Sequence, residues 1–283
     1  MSCEEKKRQS YGDSSSEVET TIESLPDDVR RHIMSFLPTR DAAATALISK
    51  RWKPLWLSLA SFDFNDGCFP DFRKFSYFVT SVLSSPHSVQ SLRLTCGFHP
   101  FFNSSCPDFH FFLNMVALKG VHELDLGLVT LTRLPYSFYR CKTLVTLKLH
   151  NVILIDSSYV DFPLLKSLYL NDIKFGSQAI MFKFLCGCSN LEYLHARSLQ
   201  FIGRDIPPQV EEGDKPLPKL VRARIIHSPY TPFPMLCNAR FLRAGMVSNA
   251  TLILITFLFR VYLFIKSSHY YLSANIFFLL PCN

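Results

Sequence analysis

Charged residues are sparse in this chain of 283 residues, at 19% against 48% hydrophobic residues. This balance excludes a largely disordered chain, because disordered chains are poor in apolar residues and rich in charge. The ten glycines and 17 prolines follow no fixed period, which excludes a collagen-like fibre. The 30 Lys and Arg exceed the 23 Asp and Glu to give a net charge of +7. That excess is too dilute for the dense basic stripe of a nucleic-acid-binding protein, so we expect no nucleic-acid partner.

Motifs of catalysis and of metal binding are also missing. The sequence contains no glycine-rich phosphate loop and no HExxH, GxSxG or kinase signature. Its nine cysteines include no paired CxxC half-sites, and the isolated Cys186-Gly187-Cys188 is typical of a turn. We therefore expect no catalytic residue, no metal site and no cofactor, that is, a protein that is not an enzyme.

The first 20 residues are polar and lack apolar periodicity, which predicts a disordered tail. They contain no apolar stretch of the length that a signal peptide needs. Together with the scattered cysteines, this predicts reduced thiols and a cytoplasmic or nuclear protein, or both.

Between residues 22 and 64 the pattern changes to short helices. Ser24-Leu25-Pro26-Asp27 predicts a capped helix start, followed by an apolar stripe of Val29, Ile33, Phe36 and Leu37. A second helix is expected through Ala42–Ile48 and a third from Ser49, with Pro54 breaking or kinking the third. Three short helices in about 40 residues bury little area, so we expect a partner to complete their apolar surface, which includes both tryptophans.

Three short motifs in this segment carry a family resemblance. Leu25-Pro26 opens it, Phe36-Leu37-Pro38 ends its first helix, and Ser49-Lys50-Arg51-Trp52 starts its third. In this order and spacing they resemble the F-box of plant proteins. Arg40 and Ile48 are mild departures, since relatives often have Lys and Val or Leu at these places.

A hexad with apolar first, fourth and sixth positions recurs after this segment. Successive starts lie 21–32 residues apart, close to the period of leucine-rich repeats, about 20–29 residues. The hexad predicts one short parallel strand per turn, with its fourth and sixth side chains in a shared core. The six hexads are Val89/Leu92/Leu94, Val121/Leu124/Leu126, Leu144/Leu147/Leu149, Leu165/Leu168/Leu170, Leu191/Leu194/Ala196 and Leu220/Ala223/Ile225.

These features predict an α/β protein with a small N-terminal three-helix F-box module and a horseshoe-like leucine-rich-repeat solenoid of parallel strands. The chain resembles plant proteins of the F-box/FBD/leucine-rich-repeat family, although no C-terminal FBD region is seen. The expected organisation is a disordered tail at 1–20, the F-box at 21–64, a linker with a capping helix at 65–88, repeats at 89–245 and an atypical hydrophobic tail at 246–283.

The hydrophobic tail has three interpretations that the sequence leaves open. It can be an altered chain end outside the parent architecture, a membrane anchor or ordinary core. Its apolar run Ala250–Ile265 is 16 residues long and contains Arg260. A membrane-spanning helix needs about 20 apolar residues, so membrane attachment is not the expected outcome.

The resemblance implies a non-catalytic adaptor of an SCF-type (cullin–RING) ubiquitin ligase. The F-box would bind a Skp-type subunit, and through it the cullin and RING subunits, while the repeats would bind an unknown target protein. The positions that match the motif and that we expect to bind the Skp-type subunit are Leu25, Pro26, Ile33, Leu37, Pro38, Leu47, Ser49, Trp52, Leu55 and Trp56. Direct contact is expected of Leu25, Pro26, Leu37 and Pro38, whereas Ile33, Leu47 and Trp52 can instead be core residues.

Target binding is expected on the strand positions that alternate away from the core. Tyr169, Tyr193 and Arg222 are the predicted anchors, because protein interfaces favour Tyr and Arg. The alternative to the ligase adaptor is a leucine-rich-repeat interaction scaffold without a ligase role, with or without attachment to a membrane by the tail.

Overall fold

A computed structural model describes residues 22–99, 107–155, 160–202, 217–228 and 233–245, and the backbone of 275–276. The helices in these ranges are α1 Asp27–Ser35, α2 Thr39–Ala44, α3 Trp52–Leu57, α4 Phe72–Leu83, α5 Pro107–Leu118, α6 Gln178–Cys186 and α7 Phe233–Leu236. The strands are β1 Ser61–Asn65, β2 Ser91–Cys96, β3 Glu123–Arg133, β4 Thr146–Leu154, β5 Ser167–Asn171, β6 Lys174–Phe175, β7 Tyr193–Arg197, β8 Gln200–Phe201, β9 Arg222–Ile226, β10 Phe241–Gly245 and β11 Asn275–Ile276.

The strands form one parallel sheet in the order β1-β2-β3-β4-β5-β7-β9-β10-β11, with β6 and β8 paired beside β4. Apart from β6 and β8, the strands therefore follow one another across the sheet in the order in which they occur in the sequence. Parallel neighbours need a crossover connection, and α4, α5, α6 and α7 lie in four of these connections. Repeated crossovers in one direction make a solenoid, as the hexads predicted.

All six predicted hexads supply core residues, which confirms the alternation expected of each strand. The first, fourth and sixth side chains of every hexad are at most 2% exposed. Strands stacked in register place these side chains in continuous rows, for example Leu92, Leu124, Leu147, Leu168 and Leu194. A turn shares its core with both neighbours, and the stack as a whole supplies the burial that one turn lacks.

The sequence did not predict two further turns of the solenoid, although they carry the same hexad. Leu59, Phe62 and Phe64 are buried around β1, and Leu242 is buried in β10. The sheet therefore begins at Ser61, inside the segment predicted as F-box. The helix expected at 65–88 is present as α4, but it connects β1 with β2 and is a crossover helix rather than a cap.

The N-terminal helices cover the first edge of the sheet. The backbone N–H of Asp63 in β1 donates a hydrogen bond to Thr39 Oγ1 at 2.7 Å, which satisfies an edge donor that no strand pairs. The ring of Trp56 stacks on Phe78 of α4 at 5.9 Å between centroids and 7° between planes. Helices and repeats therefore share one core, and the tryptophans, expected to need a partner, are buried within the chain itself.

Two local expectations for the helices are corrected. Pro26 rather than Ser24 occupies the N-cap of α1, and no side chain caps that helix. Pro54 neither ends nor breaks α3, because it lies in the first turn, where backbone N–H groups have no partner within the helix.

The turn at Cys186-Gly187-Cys188 joins α6 to the next strand, as predicted. Gly187 lies at the C-cap of α6, and its carbonyl accepts a hydrogen bond from the N–H of Phe162 at 2.9 Å. A Cβ atom at position 187 would lie 2.5 Å from the carbonyl oxygen of Val160. The close approach of two backbone segments from successive turns requires glycine here.

The predicted hydrophobic tail at 246–283 lies outside the described residues, apart from the backbone of β11, which pairs in parallel with β10. The three interpretations of the tail therefore stay predictions. Within the part of the chain that the structure describes, no helix combines the length and the apolar character needed to cross a bilayer.

Replacing Gly187 by Ala is expected to lower the free energy of unfolding by about 1–3 kcal/mol, because a backbone oxygen cannot move aside cheaply. Chemical denaturation measures the change. Gly127→Ala is the matched control, since a Cβ there would meet Thr95 Oγ1 at an ordinary 3.5 Å. Equal stability of the two variants would contradict the close approach at Gly187.

Candidate functional site

Helix α1 and the two residues after it expose apolar side chains that an ordinary surface helix would bury. Arg30 and Met34 are fully buried, whereas the predicted apolar stripe is exposed to solvent. The stripe residues Val29, Ile33, Phe36 and Leu37 are 43%, 36%, 75% and 38% exposed. An apolar stripe that the chain's own core leaves uncovered is typical of a binding surface.

More exposed apolar side chains lie near this stripe in the sequence. Among the described residues, seven of the nineteen large exposed hydrophobic side chains fall within positions 22–48. Besides the stripe, these are Ile22, Leu47 and Ile48, with Leu47 89% exposed at the end of a short 3-10 helix. We call these seven residues the exposed apolar set.

Arg30 holds the chain that precedes α1. Its Nε and Nη2 donate hydrogen bonds to the carbonyl oxygen of Leu25 at 2.9 and 2.7 Å, and Nη2 lies 3.2 Å from Asp27 Oδ1. The guanidinium also lies 5.7 Å from the ring centroid of Trp52. Sequence reasoning missed Arg30, although its i, i+4 spacing to Met34 places these two side chains on one side of the helix.

Two residues of the third helical region hold the same segment from the other side. Trp52 Nε1 donates a hydrogen bond to Glu23 Oε1 at 3.1 Å, and Arg51 Nη2 donates one to Asp27 Oδ1 at 3.1 Å. The buried Arg30 and Trp52, together with the exposed Arg51, therefore hold the segment from Glu23 to Asp27. Leu25 is half-buried and Pro26 is exposed on this fixed segment.

The structure divides the ten residues predicted to bind a Skp-type subunit into two groups. Pro26, Ile33, Leu37, Pro38 and Leu47 are exposed, and Leu25 and Ser49 are half-buried. Trp52, Leu55 and Trp56 are at most 8% exposed, so they pack the helices together instead of offering a surface. Their burial favours the core role that the sequence left open for Trp52, and binding of the ten residues to a Skp-type subunit stays a prediction.

A second candidate surface is the face of the sheet opposite the core, which we call the open face. Its central row runs in register across the strands as Asp63, Arg93, Asp125, Lys148, Tyr169, His195, Arg224 and Arg243. Charges alternate in sign over the first four positions, whereas the last three are basic. The two halves of the open face therefore differ in their electrostatics.

Asp125 is the centre of an ion network in the first half. Arg93 Nη2 lies 3.0 Å from Asp125 Oδ2, His150 Nε2 lies 3.4 Å from Oδ1, and Arg93 Nη1 lies 3.7 Å from Asp63 Oδ2. Burial opposes ionisation of Asp125, but the hydrogen bonds and charges of His150 and Arg93 outweigh it and lower the pKa of this carboxyl. The four charged residues of the central row in this half are therefore paired with one another.

The predicted target-binding anchors lie in the second half and meet one another. The rings of Tyr169 and Tyr193 are 5.4 Å apart, and Lys148 Nζ lies 5.6 Å from the centroid of Tyr169. The guanidinium of Arg222 lies 5.2 Å from the ring centroid of Phe241. The structure thus brings together the two tyrosines and places Arg222 two strands from Tyr169, on the same face.

The two cysteines of the 186–188 turn differ in exposure. Cys188 is fully buried, and burial raises the pKa of its thiol, while Cys186 is exposed. A buried thiol with a raised pKa is a poor nucleophile. Among the described residues, no three His, Cys, Asp or Glu side chains are grouped so as to hold a metal ion.

Comparisons with known proteins agree with this architecture. Residues 22–64 match the family model of the F-box domain. Residues 110–204 match a model described as the LRR repeats of FBD-associated F-box protein At5g56370. The chain therefore matches an F-box model and, after it, a model of plant leucine-rich repeats. The F-box match falls on the helical module with the exposed apolar set, and the repeat match falls on strands that form the open face.

Relatives in Arabidopsis thaliana resemble this chain over about 61% of its length. F-box/FBD/LRR-repeat protein At4g26340 is 33% identical over 184 residues, and F-box/LRR-repeat protein At4g14103 is 37% identical over 189 residues. The matched region covers 42% and 48% of these two proteins. The chain therefore spans less than half the length of either relative.

The Asp125 network predicts a specific pH dependence. A carboxyl with a lowered pKa contributes stability above its unfolded pKa of about 3.9, and this contribution is lost as pH falls through the folded pKa. Asp125→Asn should therefore cost about 1–2 kcal/mol at neutral pH, and the gap to the wild type should close in acid. Denaturant titrations at neutral and acidic pH measure both values.

Glu123→Gln provides the control for this titration, because Glu123 is exposed and forms no ion pair among the described residues. Its stability difference from the wild type should stay small at every pH. A gap for Asp125→Asn that persists unchanged in acid would show that the carboxylate charge is not what stabilises the sheet.

Proposed function

We propose that this chain is a substrate-recruiting adaptor of an SCF-type (cullin–RING) ubiquitin ligase. The F-box binds a Skp-type subunit, and the repeats bind a target protein for ubiquitination. The observation that carries the proposal is the apolar stripe on α1 and the two residues after it, which is exposed on a helix that buries Arg30 and Met34. A folded protein retains such an exposed stripe at a cost in solubility, and a partner that covers it removes that cost.

The proposed adaptor contributes proximity rather than chemistry. Holding a target beside the transfer machinery converts a bimolecular encounter into an effectively intramolecular one. Cullin and RING subunits, reached through the Skp-type subunit, supply the transfer in this proposal. A reducing compartment, the cytoplasm or the nucleus, suits such a complex and stays a prediction.

The shared core of F-box and repeats supports this role. The hydrogen bond between Asp63 and Thr39 and the stack of Trp56 on Phe78 join the F-box to the first turn of the solenoid. A continuous core holds the two surfaces in one orientation, and a fixed orientation raises the effective concentration of the target at the transfer site.

The residues proposed to contact the Skp-type subunit are exposed side chains of the F-box and the half-buried Leu25. Leu25 and Pro26 stand on the segment that Arg30 fixes, and Ile33, Leu37 and Leu47 belong to the exposed apolar set. Phe36, 75% exposed, joins this group although the sequence did not assign it a contact. Arg30 acts as a positioning residue for Leu25-Pro26 and is itself fully buried.

Replacing Leu47 by Asp should weaken binding of a Skp-type subunit by about 2 kcal/mol, roughly 30-fold, because a carboxylate would be buried in an apolar contact. Phe36→Asp should act in the same direction. Both side chains are exposed, so folding should be preserved. Binding is measured by calorimetry or by co-purification with a Skp-type subunit.

Leu118→Asp is a closely matched control, because Leu118 is 79% exposed but lies on α5, outside the F-box. It should bind the Skp-type subunit as the wild type does. Failure of the wild type to bind, or equal binding by the Leu47 and Leu118 variants, would overturn the proposal and leave a repeat scaffold without a ligase role.

A further inference from the structure

The second half of the open face carries arginines without acidic partners. Arg197, Arg222, Arg224 and Arg243 lie on the three adjacent strands β7, β9 and β10, and we call them the arginine cluster. None of them forms an ion pair among the described residues, whereas Arg93 in the first half contacts two carboxylates. Asp172 directly follows β5 and is an acidic residue near this half. It forms no ion pair among the described residues either.

Two further observations show that this region is electropositive and partly dehydrated. Burial, then the charges of Arg224 and Arg197, lower the pKa of His195, which lies between Tyr169 and Arg224 in the central row. The Nε atom of Arg224 and the Nε2 atom of His195 are buried and have no hydrogen-bond partner among the described residues. The Nε–H of Arg224 is a donor in any state, so its burial without an acceptor is costly, and an incoming acceptor would relieve that cost.

We propose that this half of the open face binds an acidic segment of the target protein, with Asp or Glu side chains on the arginine cluster. The inference rests on the proposed function, because the bound segment belongs to the protein that the adaptor recruits. Guanidinium groups bind carboxylates through paired N–H donors, and the tyrosine pair beside them supplies apolar contact area. Charge complementarity with the arginine cluster therefore favours an acidic segment as the ligand of this half of the open face.

The size of the region fits a short peptide. Strands lie about 4.8 Å apart, so the distance from β5 across β7 and β9 to β10 is roughly 14 Å, which an extended peptide spans with about four or five residues. Nucleic acid fits less well, since its backbone requires a longer basic track. A nucleic acid that extended onto the first half of the face would be repelled by the acidic side chains of Asp63, Glu123 and Asp125.

The proposal is tested with the full chain bound to its Skp-type subunit and a fluorescein-labelled hexaglutamate peptide. Anisotropy should show binding that weakens at high salt, because salt screens exposed charges. A hexalysine peptide should not bind. Hexaglutamate should also raise the melting temperature of the complex, since it offsets repulsion within the arginine cluster.

A double variant, Arg197→Glu with Arg222→Glu, should lower the affinity for hexaglutamate by about ten-fold or more, because two exposed attractive charges become repulsive. The matched control is Arg73→Glu with Arg133→Glu, two exposed arginines outside the cluster that make the same change in net charge. It should bind as the wild type does. Should the charge-reversed protein unfold, Arg197→Gln with Arg222→Gln replaces it, with a smaller loss expected.

Binding of the Skp-type subunit is measured in parallel, so that the two proposals fail separately. If that subunit binds but hexaglutamate does not, the acidic-segment proposal is overturned and the adaptor role stands. An equal loss of affinity for hexaglutamate in both double variants would also overturn the acidic-segment proposal.

Binding of a phosphoserine peptide or a single-stranded oligonucleotide in place of hexaglutamate would assign the cluster to another ligand and refute the proposal. If the Skp-type subunit fails to bind, hexaglutamate is tested on the chain alone, where binding would support the acidic site without the ligase role.

Discussion

The structure depends on closing the first edge of a parallel sheet that is buried on one face. Every turn of the solenoid covers the apolar side of its neighbour, but the first strand has no strand before it. The F-box helices fill that place, with Thr39 accepting the edge hydrogen bond of Asp63 and Trp56 stacked on Phe78. Because unpaired edges and exposed cores are unfavourable, the helices and the repeats form one folded unit.

Helix α1 divides its surface between the core of the F-box and solvent. The side of the helix that faces the rest of the F-box needs a connection to the preceding segment, and Arg30 supplies it through two hydrogen bonds to Leu25. Met34 and Trp52 surround that connection with apolar packing. The exposed side carries Val29 and Ile33, with Phe36 and Leu37 directly after the helix, and is the surface proposed for the Skp-type subunit. Core packing and the proposed contact thus use different sides of one nine-residue helix.

The open face shows a similar division along the sheet. Near the F-box, Asp125 gathers Arg93 and His150 into a satisfied network. Farther along, arginines and tyrosines are aligned by the strand register, and within the described ranges none of these arginines forms an ion pair. Satisfied charges stiffen a surface, whereas unsatisfied ones favour a ligand of opposite sign. The register that aligns the core leucines also aligns these side chains.

The sequence by itself determined the features that rest on local periodicity. The hexads predicted six strands and their core residues, and Leu25-Pro26, Phe36-Leu37-Pro38 and Ser49-Lys50-Arg51-Trp52 predicted the F-box. The hexad at Leu59/Phe62/Phe64 could have been found by the same rule.

Only the tertiary structure decided which apolar residues were already covered. Trp52, Leu55 and Trp56 match the F-box motif as well as Leu47 does, yet three of these four are buried by the packing of the helices and repeats. Spacing along one helix shows that residues share a face, but whether that face meets core or solvent depends on segments distant in the chain. For the same reason the arginine cluster became visible only once the strands were aligned.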